Sequence, residues 1–272
     1  SYDLLLSLNY ITHLAVIKKD LFDRVDGFSL GADGAQDHDL FLKIVEKTNK
    51  IIHIPKILYH WRMLETSTAK TSLAKPYAHN AAKTSVQNHL QRANVKALVD
   101  DSPYTSVLDI KYTLPEPAPL VSIIIPTKDG VDLLNTCIKS IIEVSTYDNY
   151  EIVILNNNSV KKETFDWFTK IQELHCNIRV VEANYKFNWS KLNNHGIKES
   201  NGNVFIFLNN DIEIITGDWI ERLAGRAIQP LVGTVGALLL FEDGTIQHAG
   251  VVVGMNGWAD HVYREGRDLH RN

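Results

Sequence analysis

The sequence predicts an α/β protein: a doubly wound, mostly parallel sheet in the C-terminal part, a smaller α+β part at the N-terminus, and a helical, proline-rich stretch between them. Three observations carry this. Strand-like and helix-like patterns alternate from residue 121 to residue 208. The first of the strand patterns, VSIIIPT, is a near-continuous β-branched run, as expected of a strand buried on both faces of a parallel sheet. Pro103, Pro115, Pro117 and Pro119 punctuate the preceding segment and favour extended or turn backbone, which marks a boundary.

Taken in order, the C-terminal part reads as follows. Residues 121–127 are the first strand, and Leu133, Leu134, Cys137, Ile138, Ile141 and Ile142 give the next helix a wide apolar stripe. EIVIL (151–155) is a strand, ETFDWFTKIQEL a helix, IRVVEA (178–183) a strand, SKLNNHGIKES a helix and VFIFL (204–208) a fourth strand. Four strands with intervening helices imply a parallel sheet with right-handed crossovers. In the N-terminal part, ITHLAVI (11–17) reads as a strand and KKDLFDRV as a short helix stopped at Gly27-Phe28. GAQDHDLFLKIVEKTNK reads as a helix with acids at its start, IIHIP (51–55) as a short strand and ILYHW (57–61) as an extended run. AHNAAKTSVQNHLQRA is a helix in the polar middle zone. The resulting division is 1–65, 66–117 and 118–272.

Bulk properties exclude several classes. A net charge of -4 gives no basic footprint for nucleic acid. Cys137 and Cys176 are too few for a disulfide framework and suit a reducing cytoplasm. No apolar run approaches the roughly 20 residues of a membrane-spanning helix. Both ends of the sequence read as cuts through a longer chain. The expectation for location is cytoplasmic, with peripheral attachment at the inner membrane face left open.

In a doubly wound sheet, ligands sit beyond the carboxyl ends of the strands. The first strand ends in Pro126-Thr127-Lys128-Asp129-Gly130, the second in Asn156-Asn157-Asn158-Ser159, and the fourth in Asn209-Asn210-Asp211 with Glu213 nearby. Neither GxxxxGK[ST] nor a GxGxxG after the first strand is present, so no glycine-rich cradle holds phosphates and a dinucleotide dehydrogenase is disfavoured. A hard cation at the Asp211 loop would supply the missing positive charge, with Mg or Mn preferring oxygen ligands.

These residues resemble the family 2 glycosyltransferases, which have the GT-A fold. The matching stretches are VSIIIPTKDG, EIVILNNNS, Asn194 with Gly196 in KLNNHGIKES, and NGNVFIFLNND; DGTIQHAGVVVG (243–254) resembles a subset found in surface-polysaccharide and rhamnan-type assembly proteins. The resemblance implies a GT-A-like sheet and transfer of a sugar from a nucleotide diphosphate donor, UDP- or dTDP-linked, to a saccharide acceptor hydroxyl, free or lipid-linked, with inversion. It implies that Asp211 holds the metal, where the family usually has Asp-any-Asp and this chain has Asn209 as the first member. Pro126, Thr127, Asp129, Asn156, Asn158, Asn194, Asn209, Asn210 and His248 are the implied nucleotide-sugar contacts, with Asn156 replacing an aspartate that reads the base. Gln36-Asp37-His38-Asp39-Leu40 resembles the acceptor-side motif, which makes Asp37 the general base, and LYHWR resembles the strand that closes a module.

On this reading residues 1–65 are the acceptor half of one module and 118–272 the nucleotide half of the next, in tandem. A permuted single module is the other arrangement. A non-catalytic nucleotide-sugar-binding or incomplete scaffold module is the competing function, favoured by Asn209 and Asn156. Taken singly, Asp211 also fits an ordinary turn residue, Asp37 and Asp39 fit first-turn acids on a helix dipole, and Phe187 and Trp189 fit packing residues flanking a helix start.

Overall fold

A computed structural model describes residues 1–60, 76–104, 106–255 and 257–266. It divides into two compact units, with the boundary between Thr113 and Leu114.

In the first unit, α1 (Tyr2–Ser7), α2 (Lys19–Asp23), α3 (Gln36–Val45) and α4 (Pro76–Arg92) accompany an antiparallel hairpin, β1 (Ala97–Asp101) with β2 (Leu108–Tyr112). Leu5 and Leu6 of α1, Phe41 and Leu42 of α3, Val86 and Leu90 of α4, and Val99, Leu108 and Ile110 of the hairpin form one core. The stretch read as a linker is therefore half of a folded unit. Its helix is amphipathic enough to bury Val86 and Leu90, and β2 alternates buried and half-buried residues in the two-residue period of a sheet covered on one side. The boundary moves accordingly from residues 65 and 117 to 113.

The expected helices at α2, α3 and α4 form. Gly27 ends α2 as anticipated: its φ of +59° lies in the left-handed region, and its N–H bonds the Phe22 carbonyl at 3.1 Å. The expected strands at 11–17 and 51–55 do not form, and residues 57–60 belong to no strand either. β-rich sequence becomes strand only where a neighbour takes its N–H and C=O groups, and here Val16, Ile52 and Ile57 stand in water instead. Trp61 and Arg62, the end of the LYHWR motif, lie outside the described residues.

The second unit holds a four-stranded parallel sheet in the order β5-β4-β3-β6. Its strands are β3 (Val121–Thr127), β4 (Tyr150–Asn156), β5 (Ile178–Glu182) and β6 (Val204–Phe207), separated by α5 (Val131–Val144), α6 (Lys162–Leu174) and α7 (Trp189–Glu199), with α8 (Trp219–Ala227) following. Every residue of β3 is buried, because helices cover both faces. Ile123, Ile125, Ile152 and Ile154 pack with Leu134, Ile138 and Ile141 of α5, Phe168 of α6 and Ile220 of α8. Ile124, Val153 and Leu155, the intervening residues, pack with Leu192 and Ile197 of α7. Two small antiparallel pairs follow, β7 (Leu239–Leu240) with β8 (Ile246–His248), and β9 (Val251–Met255) with β10 (Trp258–His261). Among the described residues no helix is long and apolar enough to cross a membrane.

Candidate functional site

The chain moves outward from β3 to β4 and β5, then returns across β3 to place β6 on its other side. The connecting helices α5 and α7 cover opposite faces of the sheet on either side of β3, which leaves a crevice where the strand order reverses. A cleft of about 560 Å³ lies there. Pro126, Thr127 and Lys128 form its floor. Asn157 and Asn158 come from the end of β4, Asn209 and Asn210 from the end of β6. Lys186, Phe187, Trp189 and Leu192 wall it from the β5–α7 loop and the start of α7.

Hydrogen bonds between the loops fix this arrangement. Asn210 donates its amide to Thr127 Oγ1 at 3.1 Å, which joins the two sides of the crevice. Asn157 donates to the Ala183 and Tyr185 carbonyls at 2.7 and 2.8 Å, and Asn158 donates to Tyr185 at 2.8 Å. The loop bearing Lys186 and Phe187 is thus pinned by side chains from the end of β4. With both amide hydrogens of Asn157 engaged, its carbonyl oxygen is the part left to accept a bond from a ligand. Two further elements set the wall: α7 starts at Asn188, whose side chain accepts the Lys191 N–H at 2.9 Å, and Lys191 itself lies over the Tyr185 ring at 4.0 Å.

Five of the anticipated contacts line the cleft: Pro126, Thr127, Asn158, Asn209 and Asn210. The others fall elsewhere. Asn156 is the last ladder residue of β4 and is buried; it donates to both Glu182 oxygens at 3.0 Å and accepts from the Ser159 N–H at 3.1 Å. Asp129 turns away toward α6, where its carboxylate accepts from the Val160 and Lys161 N–H groups and from Thr164 Oγ1. The Lys161 bond first, with those of Val160 and Thr164, holds its carboxyl below the usual range. Asn194 is exposed on α7 and outside the cleft lining. His248 lines a second, smaller hollow with His261, the two Nδ1 atoms 2.9 Å apart. Asp211 is exposed one residue beyond Asn210. Beneath it, burial pushes the Cys137 thiol up to about 11, with the Asp211 charge adding to the effect, so this cysteine is inert packing.

Asp37 belongs to the first unit, where it is half-buried at the start of α3 and accepts the His38 N–H at 2.9 Å. Asp39 is buried and structural: it accepts from Ser29 Oγ at 2.6 Å and pairs with Lys43 at 3.5 Å. The sequence does not single out Asn157, Lys128 or Lys186, and it offers Phe187 and Trp189 as packing residues first and sugar-stacking residues second. The signal was the strand-end rule itself, applied to three of the four strands but not to β5.

A divalent cation can be weighed against the residues present. Asp211 is a hard oxygen donor in the right loop, but among the described residues no three His, Cys, Asp or Glu side chains gather into a metal cluster. One carboxylate completed by ligand phosphates and water still fits the way magnesium is commonly bound.

Residues 122–250 match the model of glycosyl transferase family 2. Among similar proteins, the uncharacterized protein y4gI of Sinorhizobium fredii is 39% identical over 95% of this chain and 29% of its own length. The O-antigen biosynthesis protein RfbC of Myxococcus xanthus is 38% identical over 97% of this chain and 20% of its own. The chain thus spans less than a third of either relative. A mannosyltransferase from Pyrobaculum calidifontis, solved with GDP-Man and Mn2+, aligns over 58% of this chain and 44% of its own with a TM-score of 0.39 and 19% identity. The likeness to glycosyl transferase family 2 falls within the second unit, over residues 122–250.

Proposed function

We propose that the second unit binds the nucleotide-sugar donor of a glycosyltransferase that works in cell-surface polysaccharide synthesis, and that a UDP- or dTDP-sugar occupies the cleft between β3 and β6. The observation that carries this is the cleft itself: polar amides and cations converge at the switch point of a parallel sheet, beside an aromatic wall. The name of the RfbC relative supports the polysaccharide setting. In this reading the Asn157 carbonyl oxygen accepts from an imide N–H of the base, in place of Asn156, and Phe187 and Trp189 flank the nucleoside. Asn209 and Asn210 face the diphosphate and sugar.

The reaction is an inverting displacement: the acceptor hydroxyl oxygen bonds to the anomeric carbon as the nucleoside diphosphate leaves. A carboxylate in the role of Asp37 takes the hydroxyl proton. Mg or Mn, held by Asp211 and the diphosphate oxygens, would neutralise charge on the leaving group. The first unit is read as the acceptor half of a preceding module and the second as the donor half of the next, so Asp37 and Asp211 serve different centres. A cytoplasmic location, peripheral to the inner membrane, goes with this assignment.

Thermal-shift titration with uridine and thymidine diphosphates, with and without Mn, tests the donor assignment. At nucleotide a hundredfold above Kd, about 2.7 kcal/mol of stabilisation is expected. Asp211→Ala should remove the part of the shift that depends on Mn. Absence of any shift with either nucleotide, from a cooperatively folding sample, would favour the scaffold reading.

A further inference from the structure

The cleft holds two cations and no acid. Lys128 and Lys186 both line it, both are exposed, and neither pairs with a carboxylate among the described residues. The acids nearest in sequence are placed to leave that charge free. The Asp129 carboxylate is committed to the N–H groups of Val160 and Lys161 and to Thr164. Asp211 and Glu213 lie past Asn210 and are not part of the lining. The third lysine of this region, Lys191, is turned onto the Tyr185 ring. In addition, the cleft includes Trp189, the first residue of the 11-residue helix α7. The Asn188 cap takes only the Lys191 N–H, and Trp189 and Leu192 bring the first turn of that helix to the cleft.

Two unpaired lysines in a hollow with no counter-charge raise the local concentration of anions and repel cations. Against this stands a cation site offering the single Asp211 carboxylate. Resting on the donor assignment above, we infer that the diphosphate of the nucleotide is held by Lys128 and Lys186, and that donor binding persists without a divalent cation. The two lysines do here what a second carboxylate and its metal would otherwise do. Lys128 sits at the end of β3 and Lys186 in the loop pinned by Asn157 and Asn158, so the two approach from different elements.

Calorimetric titration of the 272-residue chain with uridine diphosphate, and in parallel thymidine diphosphate, tests this in Mn and in EDTA. Affinity in EDTA should stay within about fivefold of that in Mn, since the charge-assisted bonds come from the protein. Lys128→Met and Lys186→Met, at exposed positions that leave folding intact by circular dichroism, should each weaken binding in EDTA by about tenfold or more. Lys→Arg at either position should restore most of it, and Asp211→Asn should change nothing in EDTA. Binding in Mn that collapses in EDTA, with the Lys→Met variants unaffected, overturns the lysine inference while the donor assignment stands. No binding in either condition overturns both.

Discussion

Gly196 lets α7 lie against the sheet, and a single methyl group there tests whether that closeness sustains the cleft. A Cβ at position 196 would sit 2.5 Å from Ile124 Cγ2 and 3.1 Å from Leu155 Cδ1. An ordinary carbon contact is about 3.5–4.0 Å, so α7 would have to lift by roughly 1 Å. Neither neighbour can rotate aside, because Ile124 and Leu155 are completely buried and β-branched Ile124 is stiff at χ1. Two terms oppose each other. Alanine gains about 1 kcal/mol over glycine in a helix interior, while overpacking a tight core costs about 1–3 kcal/mol. With two rigid contacts the upper end of the cost applies, for a net loss of about 1–2 kcal/mol from Gly196→Ala. For a unit of this size that lowers Tm by about 2–8 °C. Because Trp189 and Leu192 ride on the same helix, uridine diphosphate affinity should fall with it. Differential scanning calorimetry and nucleotide titration measure both, with Gly233→Ala, which meets nothing within 4 Å, as the control. A Tm for Gly196→Ala equal to or above wild type would mean that helix propensity wins and that the helix–sheet approach is not tight.

Two other perturbations separate structural from ligand-facing groups. Asn156→Asp would place a second carboxylate against Glu182 where an amide now donates to both of its oxygens; it should destabilise the second unit by about 1–3 kcal/mol in urea unfolding, whereas a base-reading role would predict a change in nucleotide affinity with stability unaltered. In the first unit, burial holds His38 below its ordinary 6.5 while its Nε2 pairs with the Leu5 carbonyl at 2.7 Å. The unfolded chain therefore takes up protons first: stability from this group is full above pH 6.5 and declines as pH falls below it, and His38→Gln should flatten that part of a pH series of urea midpoints.

What the sequence disclosed and what it hid have physical causes. The sheet was legible because β3 is buried on both faces, so its residues show an unbroken apolar run that few other environments produce. The register at the strand ends was not. Thr127 pairs with Asn156, so β4 continues one residue further than its apolar run suggests. Since side chains alternate from face to face, that one residue exchanges Asn156, which packs on Glu182, for Asn157, which lines the cleft. The hairpin of the first unit was hidden by Pro103 in its connecting loop and the prolines that follow it, although the alternation in LDIKY was present to be read. Conversely, residues 11–17 carry a strong strand pattern and form none, because composition reports what a segment would do with a partner and not whether the partner is there.

The links that hold the cleft also predict how it yields. The β3 and β4 loops are tied to each other by the Ser159 hydroxyl, which accepts the Asp129 N–H at 2.8 Å, and by the Asp129 carboxylate at the start of α6. Those bonds join elements of a shared core, so the floor of the cleft is preorganised. The wall is different. Lys186 and Phe187 lie on a loop whose anchors are the Asn157 and Asn158 amides, and Phe187 is 66% exposed. Their three hydrogen bonds are together worth about 1.5–4.5 kcal/mol, within reach of a ligand that contacts the loop directly. On the donor assignment proposed above, floor and wall divide the work: the amides at the strand ends fix where a nucleotide sits, and the Lys186 loop sets how tightly its charge is held.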